Sequence, residues 1–158
     1  MGQWIISEKG NSLGKIRKYE SILCQGNGYM GVRNSHEEHY TNEKRGVFIN
    51  GVFDAAPEET AELAVLPDVL NCEILLGGEC VNMLSGMISE YRRELNLKTG
   101  ESVRSFVLTG RNGLSARLEY KRIISDTQKH IIAQKISVTP LGDCSVSIKS
   151  GIDAAVTN

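Results

Sequence analysis

Ala116-Arg117-Leu118-Glu119-Tyr120-Lys121 alternates at period two: Ala116, Leu118 and Tyr120 share one face, and the three charged residues share the other. Successive side chains of a strand point to opposite faces, so the stretch reads as a half-buried strand. Cys144-Ser145-Val146-Ser147-Ile148-Lys149 repeats the pattern and predicts Cys144, Val146 and Ile148 facing inward. Strands of this kind belong to antiparallel sheets with one wet face. Turn residues fall between them where hairpins need them. Gly77-Gly78 separates Cys72–Leu76 from Glu79–Leu84, and Asn112-Gly113 separates Val103–Leu108 from Ser115–Ile124. Lys98-Thr99-Gly100 and Leu141-Gly142-Asp143 do the same less cleanly. Gly and Asn supply the positive φ that tight hairpin turns require.

One segment predicts a helix: Pro57 at a first helical position, followed by Glu58-Glu59-Thr60-Ala61-Glu62-Leu63-Ala64. Early acids suit a helix N-terminus, but the segment is short. The expected fold is mainly β, an antiparallel β-sandwich with at most short helices.

A chain of 158 residues is long enough to bury a real core as one domain. Its net charge of -1 offers no basic excess, which argues against nucleic acid as a partner. The opening Met1-Gly2-Gln3-Trp4-Ile5-Ile6-Ser7-Glu8 lacks a basic region and an apolar core, unlike a signal peptide. No apolar run approaches the ~20 residues that span a bilayer. Cys24, Cys72, Cys80 and Cys144 show no C-x-x-C spacing and are expected to be buried free thiols. These features fit the cytoplasm.

Three motifs suggest chemistry that their surroundings do not support. Gly26-Asn27-Gly28-Tyr29-Met30-Gly31 matches the dinucleotide fingerprint in letters. That fingerprint works through a following helix whose N–H groups hold a pyrophosphate, and Val32–Tyr40 show no apolar helical face. A strand, a glycine turn and a second strand form the better reading. His36-Glu37-Glu38-His39 places its histidines three apart, where zincins need four, so a solvated loop or turn is expected. Glu37 and Glu38 are adjacent in sequence, whereas a glycosidase pair must face each other across a sugar. No G-x-S-x-G elbow is present. The sequence therefore assigns no catalytic residue and no metal site.

Taken as ordered segments, the chain resembles the N-terminal domain of glycoside hydrolase family 65, which includes maltose, kojibiose and trehalose phosphorylases and some disaccharide hydrolases. The segments are Glu20–Arg33 with its Gly-Asn-Gly-Tyr-Met-Gly-Val-Arg run, Glu37-Glu38, Gly46–Phe53, Glu62-Leu63 with Leu66-Pro67-Asp68, Tyr91–Gly100 and Ser150–Asp153. Asn96, Ala154 and Gln25 depart from the family's usual Asp, Gly and Leu or Ser, which bears on the subfamily more than on the fold.

The resemblance implies a large antiparallel super-sandwich like that of galactose mutarotase, of which this chain need not supply every strand. It further implies a helical linker and an (α/α)6 barrel downstream, with the catalytic acid in the barrel. In the phosphorylases of the family inorganic phosphate attacks the anomeric carbon with inversion, and no other cofactor is implied. The partners expected are that missing C-terminal barrel and a second copy of the chain, since an unfinished sheet exposes edges. Binding of a disaccharide by this chain would be weak at most.

Gly26–Arg33 with Val47–Phe53 form a candidate rim facing the barrel, or else are internal turns and strands. The candidate interface or sugar-rim residues are Asn27, Tyr29, Arg33, Glu37, Glu38 and Asn50. The alternative function is a freestanding carbohydrate-binding β-sandwich module. It is disfavoured because sugar modules present aromatic platforms and this chain has one Trp.

Overall fold

A computed structural model describes residues 4–10, 13–38 and 45–156. In chain order the elements are β1 (Ile5–Ser7), α1 (Ile16–Ile22), β2 (Gln25–Gly26), β3 (Met30–Val32), β4 (Val47–Ile49), β5 (Phe53–Asp54) and β6 (Glu62–Leu63). They continue with β7 (Cys72–Leu76), β8 (Glu79–Cys80), β9 (Gly86–Asn96), β10 (Ser102–Gly110), β11 (Ser115–Ile124), β12 (Ile132–Pro140) and β13 (Val146–Ser150). The strand pairings are antiparallel, and the long strands form a five-stranded sheet in the order β1-β9-β10-β11-β12.

The alternation of β11 is realised as read: Ala116, Leu118 and Tyr120 are buried. With Phe106 and Leu108 of β10 they pack against Cys72, Ile74 and Leu76 of β7 and against Val81 and Met83. β7 is central to a second sheet, β13-β7-β8, so the main core lies between two layers. A third sheet, β2-β3-β4, closes one end by packing Met30, Val32 and Val47 on Leu70 and Ile124. Gly77 (φ 57), Gly78 (φ 85) and Gly113 (φ 79) adopt the left-handed conformation their turns require. Asn112 joins the two turns, donating from Nδ2 to the Leu76 carbonyl at 3.0 Å.

A β-bulge in β9 decides which side chains enter the core. Ser105 pairs with Arg92 and Val107 with Ser89, so Glu90 and Tyr91 together oppose Phe106. Glu90 has φ 52, the left-handed region that a non-glycine residue rarely adopts. The inserted residue shifts the alternation, so Arg93 and Leu95 are buried while Arg92 is exposed.

The structure corrects several expectations. Pro57–Ala64 is not a helix: Glu62 and Leu63 pair with Asp54 and Phe53 as a two-stranded ribbon. Glu58 has φ 69, and every residue from 57 to 63 is exposed, so a helix there would bury nothing. The helix lies instead at α1, where Ile16, Tyr19 and Leu23 share a buried face at helical spacing. Val146 and Ile148 do not face inward; β13 is an edge strand with all five residues exposed. Leu141-Gly142-Asp143 passes between sheets and closes no hairpin. Cys72 is buried, but Cys24 and Cys80 are exposed and Cys144 is intermediate. All four are free thiols.

Candidate functional site

The segment from Arg33 to Glu38 leaves β3 without joining a strand, yet residues 34–38 are all buried. Guanidinium groups on three neighbouring strands receive it. Position 122 has the parity of Ala116, Leu118 and Tyr120, so Arg122 points inward. Arg104 has the parity of Phe106 and Leu108, and the bulge turns Arg93 to the same face. The inner face of the large sheet is thus apolar at one end and basic at the other.

Each arginine meets specific acceptors. Arg104 donates to Glu38 Oε1 at 2.7 Å, to Glu37 Oε2 at 2.7 Å and again to Glu38 Oε2. Arg122 donates to Glu37 Oε1 at 2.8 Å and to the Ser35 carbonyl at 3.2 Å. Arg93 donates to Glu8 Oε2 at 3.2 Å and to the Asn34 carbonyl, while its Nη1 lies 3.0 Å from His36 Nε2. Arg45 donates to the carbonyls of His36 (2.6 Å) and Glu37 (3.0 Å) and pairs with Asp68. Aromatic rings cover the cluster, with Arg104 Cζ 4.4 Å from the Tyr120 ring centroid.

Burial pushes the Glu37 carboxyl up, but the guanidiniums of Arg104 and Arg122 override it and hold it at about 2. Burial lowers His36 well below its usual value, and the surrounding arginines push the same way. Burial raises the Cys72 thiol to about 11, helped by the negative charge of Glu37 and Glu38. Here the expectation of a solvated loop at His36-Glu37-Glu38-His39 fails. His36, Glu37 and Glu38 are each 3% exposed, and His39 lies outside the described residues. In this cluster both carboxylates are occupied by guanidiniums and none can reach a sugar. Among the described residues no group of three or more His, Cys, Asp or Glu side chains is placed to hold a metal ion. No helix among them is long and apolar enough to cross a membrane.

The other sequence candidates gather elsewhere. The Gly26–Gly31 run forms the β2–β3 turn, as a strand–turn–strand reading requires. Asn27 accepts from the backbone N–H groups of Tyr29 (3.1 Å) and Met30 (2.9 Å) and donates to the carbonyls of Ser125 (2.6 Å) and Lys129 (3.0 Å). Tyr29 stands edge-on to His130 at 4.3 Å. Its carbonyl accepts from the Asn50 N–H at 2.8 Å. Asn27, Tyr29 and Asn50 therefore share one end of the domain, while Glu37 and Glu38 lie inside it. Arg33, half-buried, pairs with Glu20 at 3.4 Å.

Beside Tyr29, an apolar cleft of about 530 Å³ is lined by Met30, Val47, Ile49, Leu66 and Ile132, among others. Residues 50–63, which carry the β5–β6 ribbon, lie in sequence between the lining residues Ile49 and Leu66 and are all exposed, Phe53 at 62%. Sequence inspection singled out Glu37 and Glu38 but passed over Arg93, Arg104 and Arg122. Strand parity from Phe106 and Tyr120 pointed to two of them.

Residues 6–158 match the family described as glycosyl hydrolase family 65, N-terminal domain. The chain belongs to that family. Among curated relatives, it is 42% identical over 98% of its length to the kojibiose phosphorylase of Halothermothrix orenii. It is 40% identical over 97% of its length to that of Escherichia coli. Identity to the maltose phosphorylase of Bacillus subtilis is 25% over 99% of this chain. The chain spans 20% of the length of the two kojibiose phosphorylases and 22% of the maltose phosphorylase. A solved human-microbiome protein assigned as a candidate kojibiose phosphorylase superposes with TM-score 0.86 at 21% identity, covering 92% of this chain and 21% of that one. This family domain is thus mainly antiparallel sheet, as its sequence predicts.

Proposed function

We propose that this domain is the non-catalytic N-terminal part of an inverting disaccharide phosphorylase acting on kojibiose. The observation that carries the substrate is that the two relatives at 42% and 40% identity are both kojibiose phosphorylases. Two further kojibiose phosphorylases, at 31% and 27%, overlap trehalose phosphorylases at 29% and 28% and lie near a maltose phosphorylase at 25%. A non-catalytic role is supported by the buried, arginine-bound state of Glu37 and Glu38. In the parent enzyme a downstream barrel supplies the acid that protonates the departing glucose oxygen. Inorganic phosphate, a co-substrate, forms the new bond at the anomeric carbon from the opposite side, giving β-glucose 1-phosphate and glucose. The protein works in the cytoplasm, where phosphate and sugar phosphates are at hand.

The domain contributes folding, self-association and one wall near the sugar. That wall is the end carrying Asn27, Tyr29 and Asn50, with the cleft beside them and the exposed ribbon that follows Asn50. An open apolar cleft, together with the exposed Phe53 of the ribbon, suits contact with the barrel better than contact with water.

The test is phosphorolysis by the full-length protein. β-Glucose 1-phosphate should appear with kojibiose and phosphate, and far more slowly with maltose or trehalose. The 158-residue chain alone should give none. Faster turnover of maltose or trehalose would overturn the substrate, and turnover by the short chain would overturn the non-catalytic role. A saturable change of Trp4 fluorescence in the short chain at millimolar sugar would favour a binding module instead.

A further inference from the structure

His36 occupies a position that only the neutral ring can fill. Its Nε2 lies 3.0 Å from Arg93 Nη1. A guanidinium donates and never accepts, so Nε2 must hold a lone pair and the ring proton must sit on Nδ1. Among the described residues, guanidiniums from four places in the fold surround the ring: Arg93 on β9, Arg104 on β10, Arg122 on β11 and Arg45 before β4. The carboxylates of the cluster are already matched, Glu8 to Arg93, Glu37 to Arg104 and Arg122, Glu38 to Arg104 and Asp68 to Arg45. Among the described residues four guanidiniums thus face four carboxylates, so a protonated imidazole would add one more positive charge to that set. A proton on Nε2 would set two donors against each other and add a net charge where water is excluded.

We propose that His36 is an acid-released latch: neutral, it holds residues 33–38 on the basic end of the large sheet, and protonated, it lets them go. Release has a route outward. Arg45 grips the His36 and Glu37 carbonyls and pairs with Asp68. Asp68 exchanges backbone hydrogen bonds with Asp153 at 2.8 and 2.9 Å. Leu66 and Ile152, close to these two residues in sequence, line the apolar cleft. Acid would therefore loosen the cleft wall as well as the buried segment.

The docked segment disfavours the proton, so docking is at full strength above the free-imidazole value of 6.5 and weakens as pH falls below it. One linked proton makes opening about tenfold more frequent per pH unit in that range. Backbone hydrogen exchange of the full-length protein, read by mass spectrometry and corrected for intrinsic rates, should show this in peptides covering 33–38 and 68–72. Core peptides of β10 and β11 should keep their protection, and His36→Asn, which retains an acceptor but cannot titrate, should remove the pH dependence.

The C2-hydrogen exchange rate of the His36 ring in the unaltered protein measures its titration without any variant. A ring that titrates at the free value, a segment whose protection ignores pH, or loss of protection across the whole domain at once would each overturn the latch.

Discussion

Replacing Arg104 by Met tests whether the buried charge cluster holds the fold together. Methionine keeps most of the side-chain length on β10 and removes only the charged head. That head donates three hydrogen bonds to carboxylates and lies over the rings of Phe106 and Tyr120, at 5.2 and 4.4 Å from their centroids. Glu37 retains Arg122 at 2.8 Å, so the loss falls mainly on Glu38, for which Arg104 is the described ion-pair partner. Breaking a buried pair by removing one member costs about 3–5 kcal/mol, because the other charge stays behind unmatched.

Adding Glu38→Gln to Arg104→Met removes that stranded charge, so the double variant should recover about 1–2 kcal/mol of coupling relative to additive behaviour. Urea unfolding of the 158-residue chain at neutral pH, followed by far-ultraviolet circular dichroism, reads both quantities. A cost below about 1 kcal/mol for Arg104→Met, or strict additivity in the double variant, would refute the assignment of Arg104 as the centre of the cluster.

Acid should destabilise the domain through Glu37: its folded value is depressed from 4.5 to about 2, so its contribution is complete above 4.5 and lost as pH falls toward 2. The total is about 3 kcal/mol at roughly 1.4 kcal/mol per pH unit, and Glu37→Gln should flatten the acid limb of a stability–pH curve. Native thiol labelling should modify exposed Cys24 and Cys80 first and Cys72 only after unfolding, since Cys72 is buried and its thiol sits at about 11. A Cβ on Gly86 would collide with backbone at Thr109 and Gly110, so Gly86→Ala should cost about 1–3 kcal/mol by thermal or urea unfolding. Gly142→Ala, with open space around it, should stay within about 0.5 kcal/mol. Arg33→Ala should weaken the tie to buried Glu20 and lower stability or phosphorolysis in the full-length enzyme, and no change in either would remove Arg33 from the rim.

The two-layer core was legible because its signal is local. Ala116, Leu118 and Tyr120 are spaced for one face, and Asn112-Gly113 can make only a few turns. The same alternation misled at Val146 and Ile148: period two marks an amphipathic strand, but whether its apolar face is covered depends on other elements. Pro57–Ala64 failed for a related reason. Helical letters without an apolar face have nothing to pack, and most helical stability comes from packing. The depth of Glu37 and Glu38 was hidden because burial of a carboxylate requires a cation brought from far along the chain. Arg104 lies 66 residues from Glu38, and Arg122 lies 85 from Glu37. Arg93 was less legible still. Beside Arg92 in sequence, it enters the core only because the bulge at Glu90 and Tyr91 shifts the alternation by one.

Charge at this end of the sheet constrains register in a way that more apolar surface would not. An apolar face tolerates many packings, whereas a guanidinium taken from water is tolerable only where acceptors await it. Three such groups stand on adjacent strands, and a one-residue slip of β10 would send Arg104 to the wet face and strand Glu38, while a slip of β11 would take Arg122 from Glu37. Residues 33–38 lie outside any strand, and beside backbone hydrogen bonds to Gly46, Glu20 and Cys72 the arginines hold them: the carbonyls of Asn34, Ser35, His36 and Glu37 each accept from a guanidinium. Strand register and the docking of an irregular segment are thereby made one condition.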